Sequence, residues 1–237
     1  MSNISKKRNI STIIILAIVL LVPGFLYIGL NKVGSNQYLK LPVFGEKKLT
    51  GTVSRKMGRE IPDTLFHQVQ PLTFINQDGQ DVHFLSNDTV ISVVHLFSAV
   101  DSGLSKTLLS SLKPVVDRFM NIHKVQFYSI SVNSDESPAD LKNVFNKYAK
   151  DYADTWSIVK PIDSIFQYIN KNLLVDAYRE SDSSFVFSNN YLLIDSKGRI
   201  RGFYDINLNK ETERLEDEIK VQLVEEARNN PLTIKQK

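Results

Sequence analysis

The chain has 237 residues, 42% hydrophobic and 23% charged, with a formal net charge of +3 and no cysteine. Length and composition fit one globular domain with a sizeable core plus an N-terminal appendage, and exclude extensive disorder. The lack of cysteine excludes disulfides, thiol exchange, thiolate-dependent peroxide reduction and thiolate ligation of a soft metal.

The N-terminus carries Lys6, Lys7 and Arg8, followed by Ile13 to Leu30 without a charge. At about 1.5 Å per residue that run spans roughly 27 Å of hydrocarbon, so it reads as one transmembrane helix, with Pro23 and Gly24 tolerated inside it. The apolar run exceeds the h-region of a cleaved signal peptide, and no A-x-A-like site follows it, which favours a retained signal-anchor. Basic residues ahead of the span place residues 1–12 in the cytoplasm and the folded part across the inner membrane, in a periplasmic or equivalent space. Four of the 29 basic residues (Lys6, Lys7, Arg8 and Lys32) lie in or beside this N-terminal stretch, whereas all 26 acidic residues follow from Glu46 onward. The remainder is therefore near neutral, and a nucleic-acid partner, which requires a basic face, is not expected.

Residues 31–60 read as an extended tether with room for one strand, and residues 61–230 as the folded domain, ending in a tail, 231–237. Leu72 to Ile75 and Val82 to Phe84 flank the turn Asn76-Gln77-Asp78-Gly79-Gln80, a hairpin signal. Val90 to Phe97 is a nearly continuous apolar strand. A short polar turn, Ser98 to Gly103, leads from it into a helical stripe of Leu104, Leu108, Leu112 and Phe119, with Pro114 expected to kink that helix. A second strand, Val125 to Val132, ends in the polar loop Asn133 to Glu136. Ser137, Pro138 and Asp140 then form a capping box ahead of Leu141, Val144, Phe145 and Tyr148, in a helix that Trp156 closes as a core anchor. Pro161 opens another helix with Ile162, Ile165, Phe166 and Ile169. Asn172 to Asn190 is a polar excursion, Tyr191 to Ile194 and Ile200 to Tyr204 form a second hairpin, and Leu215, Ile219, Leu223 and Ala227 line a closing helix. A strand-crossover-strand unit followed by an antiparallel hairpin and a helix is a thioredoxin-like α/β layout, a mixed sheet flanked by helices.

These residues resemble the Sco/SenC copper chaperones of cytochrome oxidase assembly. The resemblance covers roughly Ile61 to Asp205 and rests on Phe74-Ile75-Asn76-Gln77-Asp78-Gly79, on Ser129-Ile130-Ser131-Val132-Asn133 with Ser137-Pro138 and its helix, and on the segment from Tyr191 to Asp205. It implies a copper site made by a Cys-x-x-x-Cys in the turn after the central strand and a histidine ahead of the second hairpin. Those positions fall here on Ala99, Gly103 and about Phe187, none of which offers a lone pair to copper(I). The expectation is a degenerate member that has kept the scaffold and lost its copper site, with no cofactor. Phe185 and Phe187 would fill the vacated cleft. Respiratory oxidase biogenesis then supplies the partner, an oxidase subunit or assembly factor.

Other residues offer weaker chemistry. His95 in the central strand reads as a core histidine rather than a ligand or a base near Asp101. Asp101 and Ser102 read as helix caps; with Ser105 they lack the G-x-S-x-G elbow of a hydrolase. A metal carrier using His67, His83 or His95 with carboxylates in place of cysteine is the alternative reading, although no ligand spacing supports it. Met57 and Met120 are too isolated for a methionine site, and Asp135-Glu136 reads as a solvated loop.

Overall fold

The computed structural model describes residues 12, 14–25, 40–56, 59–99, 103–181, 184–208 and 210–229. The chain divides into two compact units, Met1–Leu39 and Lys40–Lys237. In the first, residues 14–25 are helical. Among the described residues no helix is long and apolar enough to cross a membrane; Ile13 and residues 26–30 of the expected span lie outside them.

The second unit opens with a two-stranded ribbon, β1 (Lys47–Lys56) and β2 (Arg59–Phe66), where the sequence suggested a tether with one strand. Then come β3 (Leu72–Asn76), β4 (Asp81–Phe84), β5 (Ile91–Phe97), α1 (Leu104–Phe119), β6 (Val125–Ser131) and α2 (Pro138–Val144). They are followed by β7 (Trp156–Lys160), α3 (Phe166–Tyr168), β8 (Ala177–Ser181), β9 (Ser184–Phe187), β10 (Asn190–Ile194), β11 (Ile200–Asp205) and α4 (Glu211–Asn229). Seven strands form one mixed sheet in the order β11-β10-β5-β6-β7-β3-β4. In it β5, β6 and β7 run parallel, while β10 and β3 add antiparallel on either side. Helix α1 packs on β5 and β6, and α4 on β5 and β11. This is a mixed α/β thioredoxin-like fold.

Every residue of β5 is buried, as expected for a strand covered on both faces. Helix α1 turns Leu108, Leu112, Val115 and Phe119 into the core and runs as one helix through Pro114. The capping box forms as the sequence indicated: Ser137 Oγ accepts the Asp140 N–H at 3.2 Å and donates to its carboxylate at 2.6 Å. Gly79 sits at φ +78 in the first hairpin turn, a conformation that strains residues with a Cβ.

Three expectations are corrected. Trp156 does not close a helix. It opens β7, wholly buried and paired with Phe127, because the helix has already ended in a π-turn, Phe145–Ala149, and a 3-10 turn, Lys150–Tyr152. Pro161 does not start a helix; helical geometry begins at Phe166, and Ile162 is exposed. The excursion from Asn172 is ordered in part as the β8–β9 hairpin.

The domain starts earlier than residue 61. Leu41 is buried and Phe44 packs edge-on against Phe203 at 5.2 Å. The Phe44 N–H bonds the Ile200 carbonyl at 2.9 Å, and the Leu41 carbonyl accepts from Arg201 Nη2 at 2.7 Å. The Arg201 guanidinium is buried and also reaches Asp195 at 3.1 Å and Glu225 at 2.7 Å. Asp195, itself fully buried, further accepts the N–H groups of Lys197 and Arg199 and the side chain of Arg199. Removing one partner of a buried pair leaves the other charge uncompensated. Asp195→Ala should therefore cost about 3–5 kcal/mol in urea unfolding, with Asp195→Asn costing clearly less.

Candidate functional site

The end of β5 is where the fold concentrates polar groups around the expected site. Ser98 is buried, its N–H bonding Ser105 Oγ at 2.9 Å across the start of α1. The Ala99 N–H donates to the Glu136 carboxylate, and Ser98 Oγ donates to the same oxygen at 3.3 Å. Glu136 was expected in a solvated loop, yet it is only 3% exposed. Lys160 holds that loop by donating to the carbonyls of Ser134 at 3.1 Å and Glu136 at 2.7 Å. Desolvation raises the Glu136 pKa, opposed by the bonds from Ala99, Ser131 and Ser98. Its second oxygen has no hydrogen-bond partner among the described residues. No sequence spacing distinguishes Glu136 from Asp135; only the return of the loop over the end of β5 buries it.

Ala99 is half-buried and lines a small cavity of about 150 Å³ with Ser105, Lys106, Asn143 and Lys147. Gly103 precedes α1 at φ −87, a conformation open to any residue. Asp101 and Ser102 lie outside the described residues. Phe187 is 7% exposed, pairs with Ala177 on β8, and lines a different cavity of about 470 Å³ with Leu174, Val175 and Phe203. Phe185 stacks on Phe166 at 6.3 Å. A methyl group, a hydrogen and a buried phenyl ring cannot ligate copper(I), so the residues at these positions do not fit that ion.

His95 is fully buried at the centre of the sheet. Its Nδ1 lies 3.1 Å from the Leu96 carbonyl, which only accepts, so Nδ1 carries the proton and Nε2 accepts the Ser129 hydroxyl at 2.6 Å. Ser129 Oγ in turn accepts the Trp156 indole N–H at 2.8 Å. Both imidazole nitrogens are thereby committed, and burial lowers the pKa to about 4. His95 is thus neither ligand nor base. His67 Nε2 lies 2.8 Å from the Asn172 carbonyl, whereas His83 faces Thr73 across β3–β4 and shares a cavity with His123. Among the described residues no group of three or more His, Cys, Asp or Glu is placed to hold a metal.

The fold is a Sco-like thioredoxin fold. No family model matches the sequence, and no curated protein matches it. Among solved structures, the chain is similar to a SCO1/SenC family lipoprotein from Bacillus anthracis, at 18% identity over 66% of this chain and 95% of that one, with a TM-score of 0.60. BsSco, described as a member of the Sco family of cytochrome c oxidase assembly proteins, is similar at 17% identity over 67% and 94%, TM-score 0.58. ScoI of Bradyrhizobium japonicum, solved with copper bound, is similar at 19% identity over 66% and 99%, TM-score 0.53. At these identities the likeness establishes the fold.

His95 and Glu136 act in opposite directions on stability. The depressed pKa of His95 means stability that is present above pH 6.5 and lost as pH falls toward 4, about 3 kcal/mol in all. The raised pKa of Glu136 means a contribution present below its ordinary value of 4.5 and lost as pH rises through the shifted value. His95→Gln should accordingly lose less stability than the wild type between pH 7 and pH 5. Glu136→Gln should lose more, both measured by denaturant unfolding across that range.

Proposed function

We propose that this chain is a membrane-anchored, extracytoplasmic protein of the Sco/SenC type that works without copper or thiol chemistry, as a non-catalytic binding or assembly factor in respiratory oxidase biogenesis. Support for the lineage comes from the fold likeness to Sco proteins combined with the motif order from Phe74 to Asp205. The observation that carries the reading is the end of β5. Where the resemblance puts sulfur donors, the chain offers Ala99 and Gly103, and Glu136 takes the Ala99 N–H. A scaffold retained without its donors acts through shape and surface, on a partner such as an oxidase subunit or another assembly factor. The anchor is the uncharged run from Ile13 to Leu30 behind Lys6, Lys7 and Arg8, which puts the domain on the periplasmic side of the inner membrane. Of the histidines in the alternative reading, a carrier using His67, His83 or His95, the commitment of both ring nitrogens argues against His95.

The full chain titrated with copper(I) against a competing chelator should show no stoichiometric tight binding, whereas the triple variant Ala99→Cys, Gly103→Cys, Phe187→His should acquire it. Tight copper(I) binding by the wild type would overturn the reading that the end of β5 holds no copper(I). In the native host, deletion should lower the assembled oxidase, as read by its haem absorbance, and the cysteine-free wild type should restore it. Unchanged oxidase levels on deletion would overturn the assembly role.

A further inference from the structure

At the opposite end of the sheet from Ala99, where β5 and β6 begin, a cavity of about 250 Å³ is lined by His83 and His123 together with Ser86, Ser92 and Gln126. His83 comes from the edge strand β4, and His123 from the turn between α1 and β6. Forty residues apart in sequence, they line one cavity, His83 from the β3–β4 hairpin and His123 from the end of the α1–β6 crossover.

The two rings are prepared differently. Thr73 is the cross-strand neighbour of His83, and its hydroxyl lies 3.1 Å from His83 Nδ1. That contact orients the ring and leaves Nε2 uncommitted, the arrangement that a second-shell hydroxyl gives to a metal-binding imidazole. Neither His83 Nε2 nor the His123 ring has a hydrogen bond among the described residues. Gln126 donates its amide N–H₂ to the Asp154 carbonyl at 3.0 Å, which fixes the amide and leaves its carbonyl oxygen without a donor among the described residues. No carboxylate and no lysine lines the cavity. Hard ions that need anionic oxygen are therefore poorly served, and thiophilic copper(I) finds no sulfur. Two imidazoles with one amide oxygen and water suit a borderline divalent transition-metal ion.

We propose that His83 and His123 bind one such ion, with the Gln126 carbonyl as a weak third donor and Thr73 as the residue positioning His83. Binding there would fasten the edge hairpin to the α1–β6 turn. The site is independent of the reading given to the end of β5, and its success or failure leaves that reading unchanged.

Copper(II), which heads the affinity order for nitrogen sites of this kind, is the probe. The full chain at neutral pH should take up one copper(II) whose electron paramagnetic resonance spectrum shows coupling to two imidazole nitrogens, and its melting temperature should rise with the ion. His83→Asn and His123→Asn should each abolish the two-nitrogen pattern and the thermal shift. Thr73→Val should weaken binding about tenfold while keeping the pattern, and His67→Asn should change nothing. Both histidines are exposed, so neither substitution threatens folding, which circular dichroism checks. Copper(II) uptake that survives the double variant unchanged, a spectrum with fewer than two imidazole nitrogens in the wild type, or no uptake at micromolar protein would each overturn the proposal.

Discussion

The three parallel strands at the centre of the domain are joined by a run of buried hydrogen bonds that fixes the state of a single proton. Trp156 on β7 donates to Ser129 on β6, Ser129 donates to His95 on β5, and His95 donates to its own strand's next carbonyl. Each member has a partner only because the imidazole is neutral with its hydrogen on Nδ1. Protonation would make both ring nitrogens donors, so that the Ser129 hydroxyl would lose Nε2 as the acceptor of its own hydrogen. A buried network of this kind is favourable when fully satisfied and costly when one link is broken, which makes it a device for aligning strands as well as holding them. In register, His95 lies directly opposite Ser129, so a slip of one residue between β5 and β6 would break the chain of bonds.

A second polar cluster does similar work at the sheet's other flank. Arg201 and Asp195 bind the β10–β11 hairpin to α4 through Glu225 and to the incoming chain through the Leu41 carbonyl. Gly198 closes that hairpin at φ +74, and its carbonyl accepts the Val69 N–H at 2.8 Å. Residues 40–46 are thus part of the domain rather than a leash. Within the domain, residues from Lys40 onward are tied to β11, the Phe44 N–H bonding the Ile200 carbonyl.

Much of this was legible in the sequence where one physical signal dominated. The unbroken apolar run of β5, the alternation and turn chemistry of the two hairpins, and the Ser137 capping box each specify local structure without help from tertiary context. Strand β7 was hidden because Trp-Ser-Ile-Val-Lys follows a helical pattern directly, with no glycine or proline between them; the π-turn and 3-10 turn that end the helix have no sequence marker here. The β1–β2 ribbon was hidden for another reason. Leu49, Val53 and Leu65 are exposed, so burial imposes no clear periodicity on it. At the candidate site, the absence of cysteine was plain from composition alone. The burial of Glu136 and the placing of His83 and His123 on one cavity depend on long-range packing that spacing does not encode.

The groups at the end of β5 satisfy its backbone without an ion. In a metal-binding turn the ion itself ties the strand end to the neighbouring loops, and deleting its ligands alone would leave backbone donors without acceptors. Here the Glu136 carboxylate takes the Ala99 N–H and the Ser98 hydroxyl, and Ser105 takes the Ser98 N–H. The anion is brought in by the chain instead of by a thiolate, and Lys160 secures the loop that carries it. The cost is a buried carboxylate with one oxygen unpaired among the described residues.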